Sequence, residues 1–307
     1  MGASAQGGKY SRAVSATRSH KRSVDLVAMI SSKMLRSIMR PASGTSCPAR
    51  SVLLACMMMS ALGVLYAHAG GEKELLAPMG HLRVGVYPGS PTSMVTDASS
   101  GQTHGLTYDL GREFAARISL PAEYVTFPRI ADVIDAIKQG QIDFTITNAT
   151  PARTNDVSFS QPLLSIELGY LVPANSSIGR ADEIDRPGIR IGVTKGGTSE
   201  RTLSAKFKNA KIMPAESVKL AIEMLRRGEL DVYATNKAIL FEMSDSMPGA
   251  RVLDGNWGLE HMAIAIPKGR EQALPFIEGF AREVQANGLL GQIQREAGLR
   301  GAVKAEP

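Results

Sequence analysis

An α/β fold of two facing lobes is what the sequence predicts, and three observations carry it. A strand–helix–strand pattern occurs twice, the helix of each copy closes on a glycine, and no low-complexity linker interrupts residues 80–298. The first copy opens with Leu82-Arg83-Val84-Gly85-Val86-Tyr87, an apolar strand pattern. In it, Ile130, Val133, Ile134 and Ile137 then fall at helical spacing, Gly140 suits the position after the helix end, and a strand is expected from Ile142. The second copy opens with Ile189-Arg190-Ile191-Gly192-Val193-Thr194. Its helix face is Val218, Ala221, Ile222 and Leu225, Gly228 ends the helix, and Leu230 starts a strand. Helix, Gly, x, Ile or Leu, Asp, strand thus recurs 88 positions apart.

Units of this kind build parallel sheets with covering helices. Ligands of such sheets gather at the carboxyl ends of strands, so two facing lobes place one site in the cleft between them. A single doubly wound sheet is the alternative the pattern leaves open. A further strand is expected over Met262-Ala263-Ile264-Ala265-Ile266-Pro267, then amphipathic helices over 274–286 and 289–297 broken at Asn287-Gly288, and a loose tail over 300–307.

The 307 residues are 44% hydrophobic and 21% charged, which excludes a disulfide-stapled miniprotein and a wholly disordered chain. The net charge of +6 suggests a nucleic-acid or membrane-surface partner until it is located. Residues 1–50 hold nine basic side chains and one acid, so everything after Arg50 sums to −2. Residues 52–66 form an uncharged apolar run followed by Ala67-His68-Ala69, and the three parts together read as a secretory signal peptide cleaved after Ala69. The run is short for a spanning anchor. Translation starting at Met34 or Met39, and lipid attachment at Cys56, are the variants considered. Cys47 and Cys56 both precede the expected cleavage point, which leaves an exported domain without thiols, as suits an oxidising compartment.

The segment after the first copy's last strand carries the most chemistry. Thr150 is a good N-cap and Pro151 a good first helical residue in Thr147-Asn148-Ala149-Thr150-Pro151-Ala152-Arg153, so a short helix is expected there. Free N–H groups at its start and the forked guanidinium of Arg153 would together form a carboxylate clamp. The plainer alternative is a solvated arginine after an ordinary cap.

At these residues the chain resembles a family. Gly105-Leu106-Thr107-Tyr108-Asp109, Gly140-Gln141-Ile142-Asp143, Thr150-Pro151-Ala152-Arg153 and Val157-Ser158-Phe159-Ser160-Gln161-Pro162 occur in the order and spacing of family 3 solute-binding proteins, the periplasmic receptors of polar amino-acid ABC transporters. Gly196-Gly197-Thr198, Gly228-Glu229-Leu230-Asp231 and Ile266-Pro267-Lys268-Gly269 continue the likeness over roughly 78–298. The resemblance implies an α/β type II periplasmic-binding-protein fold, a Venus flytrap of two lobes joined by two crossovers near 165–169 and 259–263. Lobe 1 would comprise 78–168 and 262–299, and lobe 2 would comprise 169–261. It implies a ligand carboxylate on Arg153, aided by Thr150 and Asn148, with backbone and hydroxyl contacts from Gly197 and Thr198 at a second helix start. It also implies a monomer that delivers its ligand to an ABC permease, with no cofactor, no metal, no nucleic acid and no membrane contact except through that permease.

Two departures bear on the ligand. Where amino-acid receptors of this family place an aspartate for the ligand ammonium, this chain has Asn236, an amide that provides no countercharge. The usual aromatic after the first strand is missing, leaving Tyr87 and Ser90 as candidates in that loop. The expectation is therefore a small organic anion or modified amino acid ahead of an ordinary amino acid. Glu260, His261 and Lys195 are the only acid–base candidates for an enzyme like the cyclohexadienyl dehydratases that share this scaffold. Glu260 and His261, just before the last strand, either sit at the hinge and face the cleft or, more simply, form a solvated pair near a turn, and Trp257 reads as a packing residue. A ligand-sensing domain for a membrane receptor is the third reading, and His81, His104 and His261 show no metal-ligand spacing.

Overall fold

The computed structural model describes residues 71–305 apart from Glu72, so the expected leader, its cleavage site and both cysteines lie outside the described residues. Strand β1 (Leu82–Val86) is followed by β2 (Val95–Thr96), β3 (Thr103–His104), α1 (Leu106–Arg117), β4 (Ala122–Thr126), α2 (Ile130–Lys138), β5 (Thr145–Asn148), β6 (Val157–Phe159) and β7 (Leu164–Val172). The chain continues through β8 (Arg190–Thr194), α3 (Thr198–Lys206), β9 (Lys211–Ala215), α4 (Val218–Arg226), β10 (Val232–Asn236), α5 (Lys237–Asp245) and β11 (Arg251–Val252). It returns along β12 (Gly258–Pro267) and ends in α6 (Leu274–Ala286), α7 (Leu289–Glu296) and β13 (Ala302–Val303).

Two long strands organise the molecule. β7 and β12 pair antiparallel from Gly258 opposite Leu168 to Met262 opposite Leu164. Beyond that shared stretch they diverge. β12 carries β5 along Met262–Ala265, whereas β7 carries β10 along Leu168–Leu171. Hydrogen bonding is therefore continuous in the order β5-β12-β7-β10-β8-β9, yet apolar cores form on both sides of the shared strands. One core gathers Val84, Phe114, Phe144, Ile264 and Ile277; the other gathers Ile191, Val193, Leu203 and Val232. The sheet is thus single by hydrogen bonding but double by packing, which resolves the choice between two lobes and one doubly wound sheet.

The repeated motif has a physical cause. Asp143 accepts bonds from Arg83 through the backbone N (3.0 Å), Nε (2.8 Å) and Nη2 (2.7 Å). Asp231 takes the same three from Arg190, at 2.8, 2.9 and 2.7 Å. Two residues beyond each arginine, a Cβ on Gly85 would lie 2.2 Å from Ile142 Cδ1, and one on Gly192 would lie 2.4 Å from Leu230 Cδ1. Glycine on one strand makes room for the apolar residue beside the aspartate, and the aspartate ties down the arginine. Gly140 (φ 68°) and Gly228 (φ 65°) close α2 and α4 in the left-handed conformation their positions require.

Four expectations need correction, among them the strand expected from Leu230, which begins at Val232. The strand expected from Ile142 begins at Thr145, because Asp143 and Phe144 are held by Arg83 and Gly85 before the ladder starts. The strand expected from Met262 begins at Gly258, extended by its pairing with β7. The tail expected to be loose is not so up to residue 305: Ala302 and Val303 pair with Ile166 and Ser165.

Candidate ligand-binding site

Both copies of the repeat end in the same dipeptide at the carboxyl end of a strand, Thr147-Asn148 on β5 and Thr235-Asn236 on β10. All four residues line a cavity of about 40 Å³ between the two cores. Room for only a few water-sized groups marks it as a site for a small solute.

On the β5 side, Arg153 is buried, at 5% exposure. The expected short helix is only a single 3-10 turn, Arg153–Asn155; Thr150 Oγ1 accepts from the Arg153 backbone N at 3.3 Å and so caps that turn without lining the cavity. The guanidinium itself does reach the cavity. Its Nη1 donates to Thr147 Oγ1 (2.7 Å) and to the Asn148 carbonyl (3.2 Å), and no carboxylate among the described residues forms an ion pair with it. Burial lowers its pKa, opposed in part by the field of Glu260. Asn148 spans the gap: its Oδ1 accepts from His261 N at 2.9 Å and its Nδ2 donates to Thr198 Oγ1 at 3.4 Å.

Opposite lies the start of α3. Thr198 and Ser199 line the cavity with the first-turn N–H groups that a helix leaves free. Gly197 lines it too, but its N–H is committed to the Thr194 carbonyl at 3.0 Å, so it does not offer the backbone contact expected of it. Gly196 adopts φ 72° and approaches α2 so closely that a Cβ would lie 2.6 Å from Ala131 Cβ. Arg129 at the start of α2 pairs with Glu216, which also takes Lys195 at 2.6 Å. Lys195 is thereby held outside the cavity.

Tyr87 lines the cavity from the loop after β1. Its ring is buried against the cavity, while its hydroxyl meets Ser90 (3.3 Å) and Thr92 (3.4 Å). Burial raises its pKa, with those two hydroxyls opposing. Ser90 sits behind Tyr87 and Thr92 and does not line the cavity.

Glu260 is where the sequence reading departs most from the structure. Far from a solvated turn, it lies within β12, buried, and faces the cavity two residues before Met262 on the same face of the strand. Asn236 Nδ2 donates to its Oε2 at 2.8 Å, while Asn236 Oδ1 caps α5 by accepting from Ile239 N at 3.1 Å. Burial raises the Glu260 pKa, opposed by the Asn236 bond and the field of Arg153. His261 points to the other face, where Nδ1 meets Ser165 Oγ at 2.9 Å. Trp257 packs against Tyr170 and donates from Nε1 to the Gly169 carbonyl at 3.0 Å. Among the described residues, no three His, Cys, Asp or Glu side chains gather as a metal site.

Residues 82–298 match the bacterial extracellular solute-binding proteins, family 3. The chain belongs to that family. A curated relative is the ABC transporter glutamine-binding protein GlnH of Bacillus subtilis, 23% identical over 202 residues that cover 64% of this chain and 74% of the relative. Among solved structures, the arginine-binding protein ArgBP of T. maritima superimposes with a TM-score of 0.67 at 22% identity, covering 75% of this family 3 chain and all of that one. AncCDT-1, an ancestral amino acid-binding protein described as a precursor of cyclohexadienyl dehydratase, gives 0.64 at 23% identity, with coverages of 72% and 96%. At such identities the solved structures establish the type II two-lobe fold of this family 3 protein.

Proposed function

We propose that this protein binds a small carboxylate-bearing solute outside the cytoplasm and delivers it to an ABC transporter permease. The single observation that supports this best is the buried guanidinium of Arg153, without an ion-pair partner among the described residues and aimed into a cavity whose other wall is the start of α3. A buried cation without a counterion is costly unless something supplies one. A ligand carboxylate touching Arg153 on one side and Thr198 and Ser199 on the other is satisfied fully only when both sides close on it. Binding then favours the closed state. Export by the leader before Ala69 and a monomeric state complete the reading.

The test is a thermal-shift screen of residues 70–307 against amino acids, di- and tricarboxylates and aromatic acids. Stabilisation by at least one carboxylate, and by none of the corresponding amides or alcohols, is the expected result; indifference to every carboxylate removes the reading.

A second reading, an elimination enzyme of the dehydratase kind, has one observation in its favour. Glu260 is a cavity carboxyl whose pKa is raised by burial, the direction a general acid needs, and neither His261 nor Lys195 joins it there. Turnover of prephenate or arogenate, lost in Glu260→Gln, would replace transport by catalysis.

A further inference from the structure

The sequence places a neutral amide, Asn236, where the ligand's ammonium would need a negative partner. The structure holds a carboxylate beside it that comes from a different strand. Glu260 stands on β12, one of the two strands shared by both lobes, and not on either lobe's own site loops. We infer that Glu260 is the cation partner of this site, so that the ligand is a small zwitterion carrying an ammonium as well as a carboxylate.

This rests on Arg153 being the carboxylate partner, as proposed above. Three observations support it. First, Glu260 and Arg153 line the same cavity and feel each other's field, yet they are not paired, which leaves one buried acid and one buried base for a ligand that carries both partners. Second, the Asn236 amide is used up by structure: its oxygen caps α5 and its nitrogen donates to Glu260. Asn236 therefore orients the carboxylate instead of receiving the ligand, and acts as a positioning residue. Third, nothing basic among the described residues is bonded to Glu260. Its hydrogen-bond partner is an amide, so its charge is unspent. The ligand expected on these grounds is an amino acid, with apolar neighbours at Tyr87, Ile130, Ile239 and Met262 for its side chain. This ligand departs from the expectation of a small organic anion or modified amino acid, which followed from Asn236 and the missing aromatic.

The test compares L-amino acids with the 2-hydroxy acids bearing the same side chains, by calorimetry on the wild type and on Glu260→Gln. The wild type is expected to bind at least one amino acid about tenfold or more tightly than its hydroxy acid, the loss matching one charge-assisted hydrogen bond. In Glu260→Gln that preference disappears. In the double variant Asn236→Asp/Glu260→Gln, which moves the carboxylate to position 236 and keeps an N-cap there, most of it returns. A wild type that takes the hydroxy acid equally well, or a Glu260→Gln protein that keeps the preference, overturns the role of Glu260 and leaves that of Arg153 standing. A wild type that binds neither class of acid overturns both. If Glu260→Gln does not fold, the wild type still decides. Proton release on binding the amino acid and not the hydroxy acid, read in two buffers of different ionisation enthalpy, supports the assignment, and equal proton release for both overturns it.

Discussion

Methionine at position 153 keeps an unbranched stem of similar volume to arginine's while removing the charge and its donors. In the empty protein two effects oppose each other. Losing Nη1 leaves the Thr147 hydroxyl and the Asn148 carbonyl without that donor, at a cost of about 1–3 kcal/mol. Losing a buried cation that has no ion-pair partner relieves a desolvation penalty of several kcal/mol. The unliganded variant should therefore unfold in urea at the same concentration as the wild type or a higher one. With ligand the sign reverses, because truncating one side of a buried charge pair costs about 2–5 kcal/mol. That raises Kd about thirtyfold to a few thousandfold. Urea titration of the empty protein and calorimetry on the loaded one measure the two halves. An Arg153→Met protein that loses more than about 3 kcal/mol when empty and keeps its Kd would show that the arginine is structural, and the clamp reasoning would fail.

Gly196→Ala should lower the unliganded melting temperature as well as weaken ligand binding, because Gly196 adopts φ 72° and the new Cβ would lie 2.6 Å from Ala131 Cβ; a variant that melts and binds like the wild type would contradict this. Asp143→Asn should cost about 3–5 kcal/mol in urea unfolding, since it strands Arg83 and Arg270 against a buried amide, and Asp231→Asn should cost less, its pair with Arg190 being about a third exposed. Although burial alone would raise it, the bonds from Arg83 and Arg270 hold the Asp143 pKa below its ordinary value. Its contribution is therefore present above the unfolded-state pKa and lost as pH falls through the folded one, so wild type and Asp143→Asn should converge below about pH 4. Amino-acid affinity should fall as pH drops through the raised pKa of Glu260, because the ammonium needs the ionised form; the groups facing it are Arg153 from the turn after β5, Tyr87 from the loop after β1 and the Asn236 amide from β10. A flat profile for the wild type, or an unchanged slope in Glu260→Gln, would count against it.

What could be read in advance was whatever is local in the chain. The glycine closures at Gly140 and Gly228, the helices they end, and the aspartate that follows each three residues later are short-range patterns, and the structure has them all. Arg153 was legible because a cap, a proline and an arginine stand together, though its helix shrank to one turn. Extending the repeat eight residues past each glycine would have found Thr147 and Thr235 as well, since both copies finish in Thr-Asn. Glu260 was legible as a residue that could face the cleft, but not as the partner of Asn236. Its neighbours in sequence, Leu259 and His261, are half exposed or turned away, and only the pairing of β12 with β7 brings it beside Asn236, 24 residues earlier in the chain. Periodicity reports which face a residue occupies. It does not report which strand will lie next to that face.

The two buried charges of the cavity explain each other's unusual state. Burial works against ionisation at both ends, lowering the pKa of Arg153 and raising that of Glu260, and the attraction between them offsets only part of it. Direct contact would relieve both, as it does for Asp143 between Arg83 and Arg270, where the pKa of the buried acid falls instead. The fold prevents that contact by anchoring each side chain elsewhere: Arg153 to Thr147 and the Asn148 carbonyl, Glu260 to the amide that caps α5. Those anchors come from the matching Thr-Asn ends of β5 and β10. The duplicated element thus supplies the frame, and the unduplicated arginine and glutamate supply the charge. A molecule with a carboxylate at one end and an ammonium at the other completes two half-satisfied sites at once, whereas a simple anion completes one and leaves the other glutamate-facing half no better than before.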